Sequence, residues 1–157
     1  MAKAIFGAGC FWGVEDGFRG LPGVTETRVG FAGGTAESPT YEEVCGGATG
    51  HAEVVEIDYD PASLAYAELL DFFFQNHDAT QSASPQYRSI VVCTTPDQYV
   101  EATSWVDAIR TAAGHGRRLR TEVVIDAQFF PAGAEHQHYY EKQRARVRDV
   151  KARCGLE

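Results

Sequence analysis

The sequence has no surplus of positive charge. Its 14 lysines and arginines are outnumbered by 22 aspartates and glutamates, for a net charge of -8. Phosphate binding needs a concentrated basic surface, so nucleic acid is excluded as the main partner. The late basic residues Lys142, Arg144, Arg146, Arg148, Lys151 and Arg153 are interrupted by acidic ones and read as a solvated helix face. There is also no long apolar run. Nothing approaches the roughly 20 residues of a membrane span, and the N-terminus has no basic region followed by an apolar stretch. No membrane partner is expected, and the cytoplasm is the expected location. Cys10, Cys45, Cys93 and Cys154 are far apart, which excludes the CxxC pattern of zinc sites and thioredoxins. In a reducing compartment they are expected to be free thiols, with any disulfide transient and functional.

Other signatures are missing too. There is no G-x-x-x-x-G-K-[ST], no G-x-S-x-G and no H-E-x-x-H. In "GAGCFWG" the third glycine comes one residue too late for a dinucleotide loop, and Phe11 and Trp12 stand where a pyrophosphate needs open backbone. His136 and His138 are two residues apart and would point to different sides of a helix, so a core or capping role is expected over a metal site. No cofactor and no metal are therefore predicted. Without repeats, linkers or low-complexity stretches, the 157 residues are expected to form one domain, acting as a monomer, with a tail from about residue 144.

What is present is an alternation of strands and helices. Residues 3–8 read as a strand and 10–19 as a helix with Phe11, Val14, Phe18 and Leu21 on one stripe. "VTETRVGFAGG" reads as a strand ending in a glycine turn. A long loop rich in Gly, Ser, Thr and Pro then runs from Gly33 to about Gly50, a length that is often functional. "HAEVVEIDYD" alternates strictly, with His51, Glu53, Val55, Ile57 and Tyr59 on one face. A helix is predicted to open at Asp60-Pro61, with Tyr66, Leu69, Leu70 and Phe73 as its stripe. "YRSIVVCTT" is a strand, Thr95-Pro96 starts a helix that Gly114 ends, "LRTEVVIDA" is a strand, and a last helix is predicted from near Ala134. This order implies the α+β class, a mixed sheet with helices packed on it.

Two residues stand out chemically. Cys10 sits at a strand-to-helix joint. The unpaired N–H groups and the dipole of a helix start favour thiolate, the nucleophilic form. An inert buried cysteine is the alternative, while the neighbouring glycines would let a substrate approach the backbone. Glu53 lies on the apolar face of its strand, where lost solvation would raise its pKa and make it a general acid. Alternatively it is exposed at the strand end, or paired with an arginine such as Arg88. Tyr41 and Tyr87 lie in or beside loops, and packing or exposure would explain either.

"GAGCFWGVEDGFRGLPGV" resembles the signature of the peptide methionine sulfoxide reductase A family, whose hallmark is G-C-F-W. The likeness continues through "TRVGFAGG", "PTYEEVCGGATGHAEVVEIDYDP", "LLDFFFQNHD", "QYRS" and "TEVVIDAQFFPAGAEHQHYYEKQ", to about residue 143. The resemblance implies a two-layer sandwich around a ferredoxin-like core. It implies reduction of the S epimer of methionine sulfoxide, free or in proteins. It makes Cys10 the nucleophile that becomes a sulfenic acid, and Glu53 the proton donor to the departing oxygen. Tyr41 and Tyr87 would bond that oxygen, and Phe11 and Trp12 would hold the substrate methyl. Cys154 is the implied resolving thiol, with Cys45 as second choice, and thioredoxin or a similar protein is the implied reductant. Two departures from the family pattern stand out: the segment "ATQSASP" is short, with Ser82 where an aspartate is expected, and the tail "RARVRDVKA" suits a helix and is not glycine-rich. A non-catalytic sulfoxide-binding module and a thiol redox sensor are the competing functions.

Overall fold

The structure is a computed structural model that describes residues 1–114 and 118–156. The elements are β1 (Ala2–Ala8), α1 (Phe11–Arg19), β2 (Val24–Ala32), α2 (Tyr41–Cys45), β3 (Ala52–Tyr59), α3 (Tyr66–Gln75), β4 (Ser89–Cys93), α4 (Pro96–Ala113), β5 (Glu122–Ile125), β6 (Phe130–Pro131) and α5 (Tyr139–Arg153). Single 3₁₀ turns cover Pro85–Tyr87 and Ala134–His136.

One mixed sheet runs in the order β5-β4-β1-β3-β2-β6. Every pair is antiparallel except β4 with β5. The unit β1-α1-β2-β3-α3-β4, with β1 and β3 central, is the split βαβ arrangement of ferredoxin-like folds. The α+β expectation therefore holds. The side chains of α1 and α3 pack with Phe6, Val29, Phe31, Val55, Ile57 and Val91 on one face of the sheet. On the other face Ile5, Ala32, Val54, Ile90 and Val92 are covered by Val124, Ala127 and Phe129.

Several boundaries differ from the sequence reading, for identifiable reasons. The loop 33–50 contains α2. Thr40 and Glu43 form a reciprocal capping box there: Glu43 N donates to Thr40 Oγ1 at 3.2 Å and Thr40 N to Glu43 Oε1 at 3.1 Å. The third helix starts at Tyr66, not at Pro61. The Asp60 side chain ties up Ala62 N and the Ser63 hydroxyl in a turn, and Glu68 accepts Ala65 N at 2.7 Å to start α3 five residues later. The last helix is broken in two at His138, whose φ is +53°. Thr95 and Gly114 cap α4 as expected. Gly7 serves the sheet and not a substrate: a Cβ there would lie 2.7 Å from both the Glu53 carbonyl oxygen and Ile90 Cγ2. Gly9, at φ +101°, makes the turn that delivers Cys10 to the start of α1.

Candidate active site

Cys10 is the N-cap of α1 and is exposed. Burial of the thiol and the negative charge of Glu53 push its pKa up, against the pull of the Trp12 and Gly13 N–H groups. The sequence reading expected a lowered thiol. The helix start does act in that direction, but burial outweighs it.

Glu53 lies beside Cys10. The alternation of β3 turns it toward the helix face of the sheet, where it is 1% exposed. Its Oε1 accepts the backbone N–H of Phe11 at 3.1 Å. Its Oε2 accepts Gln86 Nε2 at 2.6 Å. Burial raises its pKa, while these two hydrogen bonds and His136 oppose the rise. The burial expected from the apolar strand face is seen; strand-end exposure and pairing with Arg88 are not.

Arg88 has another task. Its guanidinium donates to the carbonyls of Gly50 at 2.9 Å, Pro85 at 2.7 Å and Gly33 at 3.2 Å, and its Nε meets Glu122 at 3.0 Å. Gly33 and Gly50 are the two ends of the loop that carries α2, and Pro85 opens the turn that carries Tyr87. One side chain thus fastens both tyrosine-bearing segments to the sheet. His51 closes the same loop. Its Nδ1 accepts Gly34 N at 3.0 Å, which leaves the proton on Nε2 to donate to the Ala36 carbonyl at 2.7 Å.

Tyr41 stacks on Phe11 with centroids 6.3 Å apart. Tyr87 is 39% exposed at the rim. Burial raises both phenols, and Glu53 adds to each, so both are neutral donors at physiological pH. Trp12 is half-buried and lies flat on Tyr139, at 3.9 Å and 9°. Phe11 is 1% exposed and forms the floor beneath this wall. The site therefore joins Cys10, Phe11, Trp12, Tyr41, Glu53 and Tyr87. It does not include Cys154, which caps the far end of α5. Among the described residues no hydrogen bond or ring contact ties the Cys154 side chain to the others. Ser82 is exposed in the segment before Tyr87, and Gln86 is the side-chain partner of Glu53.

The sequence reading did not place Gln86 at the site, and it named His136 without placing it there. The His136 ring meets Phe11, Trp12 and Tyr41, at 5.6, 5.8 and 4.5 Å, and its Nδ1 accepts Trp12 Nε1–H at 3.3 Å. A buried ring with three aromatic neighbours is a structural fastener, in line with the core role expected over a metal site. Among the described residues no group of three metal-binding side chains occurs. Cys10 also lines a cavity of about 260 Å³ between α1 and α3, with Gly13, Gly17, Phe72 and Asn76. Gly17 helps keep that space open, since a Cβ there would lie 3.3 Å from Phe72 Cζ.

The model of the family described as peptide methionine sulfoxide reductase matches residues 2–157. The chain belongs to this family. Peptide methionine sulfoxide reductase MsrA of Methanoculleus marisnigri is 45% identical over 149 residues, which cover 91% of each chain. The MsrA of Geobacter sulfurreducens is 46% identical, over 91% of this chain and 92% of its own. Mxr1 from Saccharomyces cerevisiae, solved in reduced form, superposes with a TM-score of 0.81 at 30% identity, covering 90% of this chain and 84% of its own. Methionine sulfoxide reductase A of Corynebacterium diphtheriae gives 0.78 at 35%, over 89% and 74%. The two solved structures share the fold described above.

Proposed function

We propose that the chain reduces methionine S-sulfoxide, free or in proteins, to methionine by thiol chemistry at Cys10. The observation that carries this reading is the attachment of a buried, pKa-raised carboxyl to the backbone immediately after a nucleophilic cysteine. Sulfoxide oxygen is a poor leaving group until it is protonated. Cys10 Sγ attacks the sulfoxide sulfur while Glu53 gives its proton to the oxygen and the Tyr41 and Tyr87 hydroxyls donate to it. The oxygen passes to Cys10, leaving methionine and a Cys10 sulfenic acid. Trp12, over the Phe11 floor, supplies the apolar wall for the substrate methyl, because its ring shares the His136 contact with Phe11 and Tyr41. The 260 Å³ cavity between α1 and α3 has no carboxyl.

A second thiol of the chain then condenses with the sulfenic acid, and a thioredoxin-type dithiol reduces the disulfide. Mxr1 has been solved in complex with Trx2, which supports a reductant of that kind. Free cysteines suit a cytoplasmic setting. No helix of the described residues is long and apolar enough to cross a membrane. A passive sulfoxide binder has no need of both Cys10 and Glu53, and a thiol sensor has no need of the acid.

The test is single-turnover reduction of each pure epimer of a methionine sulfoxide substrate by the reduced protein. One equivalent of methionine from the S epimer alone is expected. No methionine from either epimer overturns the reading.

A further inference from the structure

We propose that Cys45 is the thiol that captures the oxidised Cys10. The inference deepens the reductase reading and rests on it. Tyr41 and Cys45 are four residues apart in α2, which puts both on the face that Tyr41 turns to the site. Gln86 is 8% exposed, and its Nε2 lies 3.2 Å from Cys45 Sγ and 2.6 Å from Glu53 Oε2. Glu53 Oε1 in turn holds Phe11 N at 3.1 Å. Short polar contacts thus run without a break from Cys45 to the peptide bond that follows Cys10. The Tyr87 phenol lies near both sulfurs, close enough for either to raise it.

The other cysteines are placed less well. Cys93 is buried in β4, beside Tyr66. Cys154 follows the 15 residues of α5, which begin at the Trp12–Tyr139 stack and rise about 1.5 Å per residue. Arg144 clasps Asp16 at 2.7 Å and Glu141 clasps Arg19 at 2.5 Å, so α5 is pinned along α1. Bringing Cys154 to Cys10 requires α5 to unwind or detach.

Cys45 needs only a local change. A disulfide requires Cα atoms about 4.4–6.8 Å apart, so the end of α2 must close on Cys10. Cys45 is the last residue of a five-residue helix, and Gly46 and Gly47 follow. Gly47 has φ +81° and nothing within 4 Å of where a Cβ would be. Fraying Cys45 alone, by giving up the Gly46 N–H bond to the Glu42 carbonyl at 3.0 Å, leaves buried Val44 and the Thr40–Glu43 cap in place. In the reaction the Cys45–Cys10 sulfur–sulfur bond forms and the sulfur–oxygen bond of the sulfenic acid breaks. The oxygen leaves as water, with the Cys45 proton. The sulfoxide has already oxidised Cys10, so no further oxidant is consumed. An external dithiol then restores both thiols and is itself oxidised to a disulfide.

The experiment is a single turnover with one equivalent of the S-sulfoxide, quenched with an alkylating reagent and mapped by peptide mass. A parallel arm makes the sulfenic acid with one equivalent of hydrogen peroxide. The expected result in both arms is a Cys10–Cys45 disulfide, in the wild type and in Cys154→Ser alike. Cys45→Ser and Cys45→Ala, checked for fold by circular dichroism, are expected to leave a Cys10 sulfenic acid that dimedone traps. A Cys10–Cys154 disulfide that forms equally well without Cys45 overturns the proposal and spares the reductase reading. No methionine in the first arm overturns the reductase reading, and the peroxide arm still decides the fate of Cys45.

Discussion

The Phe11 amide donates to Glu53 Oε1 at 3.1 Å, so the acid of the site hangs from the residue next to the nucleophile. Each group therefore affects the other's proton. Ionised Glu53 pushes the Cys10 thiol up, and that push vanishes when Glu53 is protonated. A thiolate beside a protonated acid is the productive state, and the two titrations are coupled.

Glu53→Gln removes the carboxylate charge and is expected to lower the Cys10 pKa, read from thiolate absorbance or alkylation rate against pH. The same variant is expected to lose about 10²- to 10⁴-fold in the rate of methionine formation, the usual worth of a general acid. Because Glu53 acts protonated and its pKa is raised, wild-type activity should fall as pH rises through that raised value. The fall on this limb should be missing in Glu53→Gln. A limb that persists unchanged assigns it to another group.

Trp12→Ala is expected to weaken binding more than chemistry. About 0.8 kcal/mol per buried methyl-sized group corresponds to a KM rise of roughly fourfold. Trp12→Phe is expected to recover most of it. His136→Phe keeps the ring contacts but loses the Trp12 Nε1 partner. Its KM should lie between those of the wild type and Trp12→Ala. Equal KM values across all three variants remove Trp12 from the methyl wall.

Arg88→Ala leaves the carbonyls of Gly33, Gly50 and Pro85 without their shared donor. The expected cost is about 1–3 kcal/mol in denaturant unfolding. Amide exchange should quicken in 33–50 and 85–87, and kcat should fall, because Tyr41 and Tyr87 lose their common anchor. Exchange that quickens evenly over the chain argues against a local clamp.

Glu15→Ala tests a buried carboxylate on α1. Glu15 is 1% exposed and accepts Thr27 Oγ1 and His138 N, each at 2.8 Å. His138 immediately precedes the Tyr139 that covers Trp12. The variant is expected to lose about 2–3 kcal/mol of stability and to raise KM, as Trp12→Ala does. Lost stability with an unchanged KM makes Glu15 purely structural.

The sheet and the chemistry were legible because their signals are local. The strict alternation of 51–59 put Glu53 on the core face, and Gly9-Cys10 marked a strand-to-helix joint. α2 was also readable, from Thr40 and Glu43 three residues apart, but the glycines and prolines around it spoke louder. The start of α3 was hidden because Asp60-Pro61 makes a good helix opening and an equally good turn. Gln86, Arg88 and His136 were not legible as site organisers. Their partners lie 33 to 124 residues away in the chain for Gln86 with Glu53 and for His136 with Trp12. No periodicity reports contacts of that span. The direction of the Cys10 shift failed for a related reason: burial of the thiol by the folded chain, with the charge of Glu53 from a distant strand added, outweighs the local pull of the helix start.

The wall beside Cys10 has a consequence for synthesis. The nucleophile is made well before its covering residues, His136 and Tyr139, which follow it by 126 and 129 positions. β1 likewise waits for β3 and β4 on its two sides. Pairings so remote in the chain form slowly. A nascent chain halted short of residue 136 carries the thiol but no finished pocket, so the catalytic centre is assembled only once the segment of His136 and Tyr139 has been made.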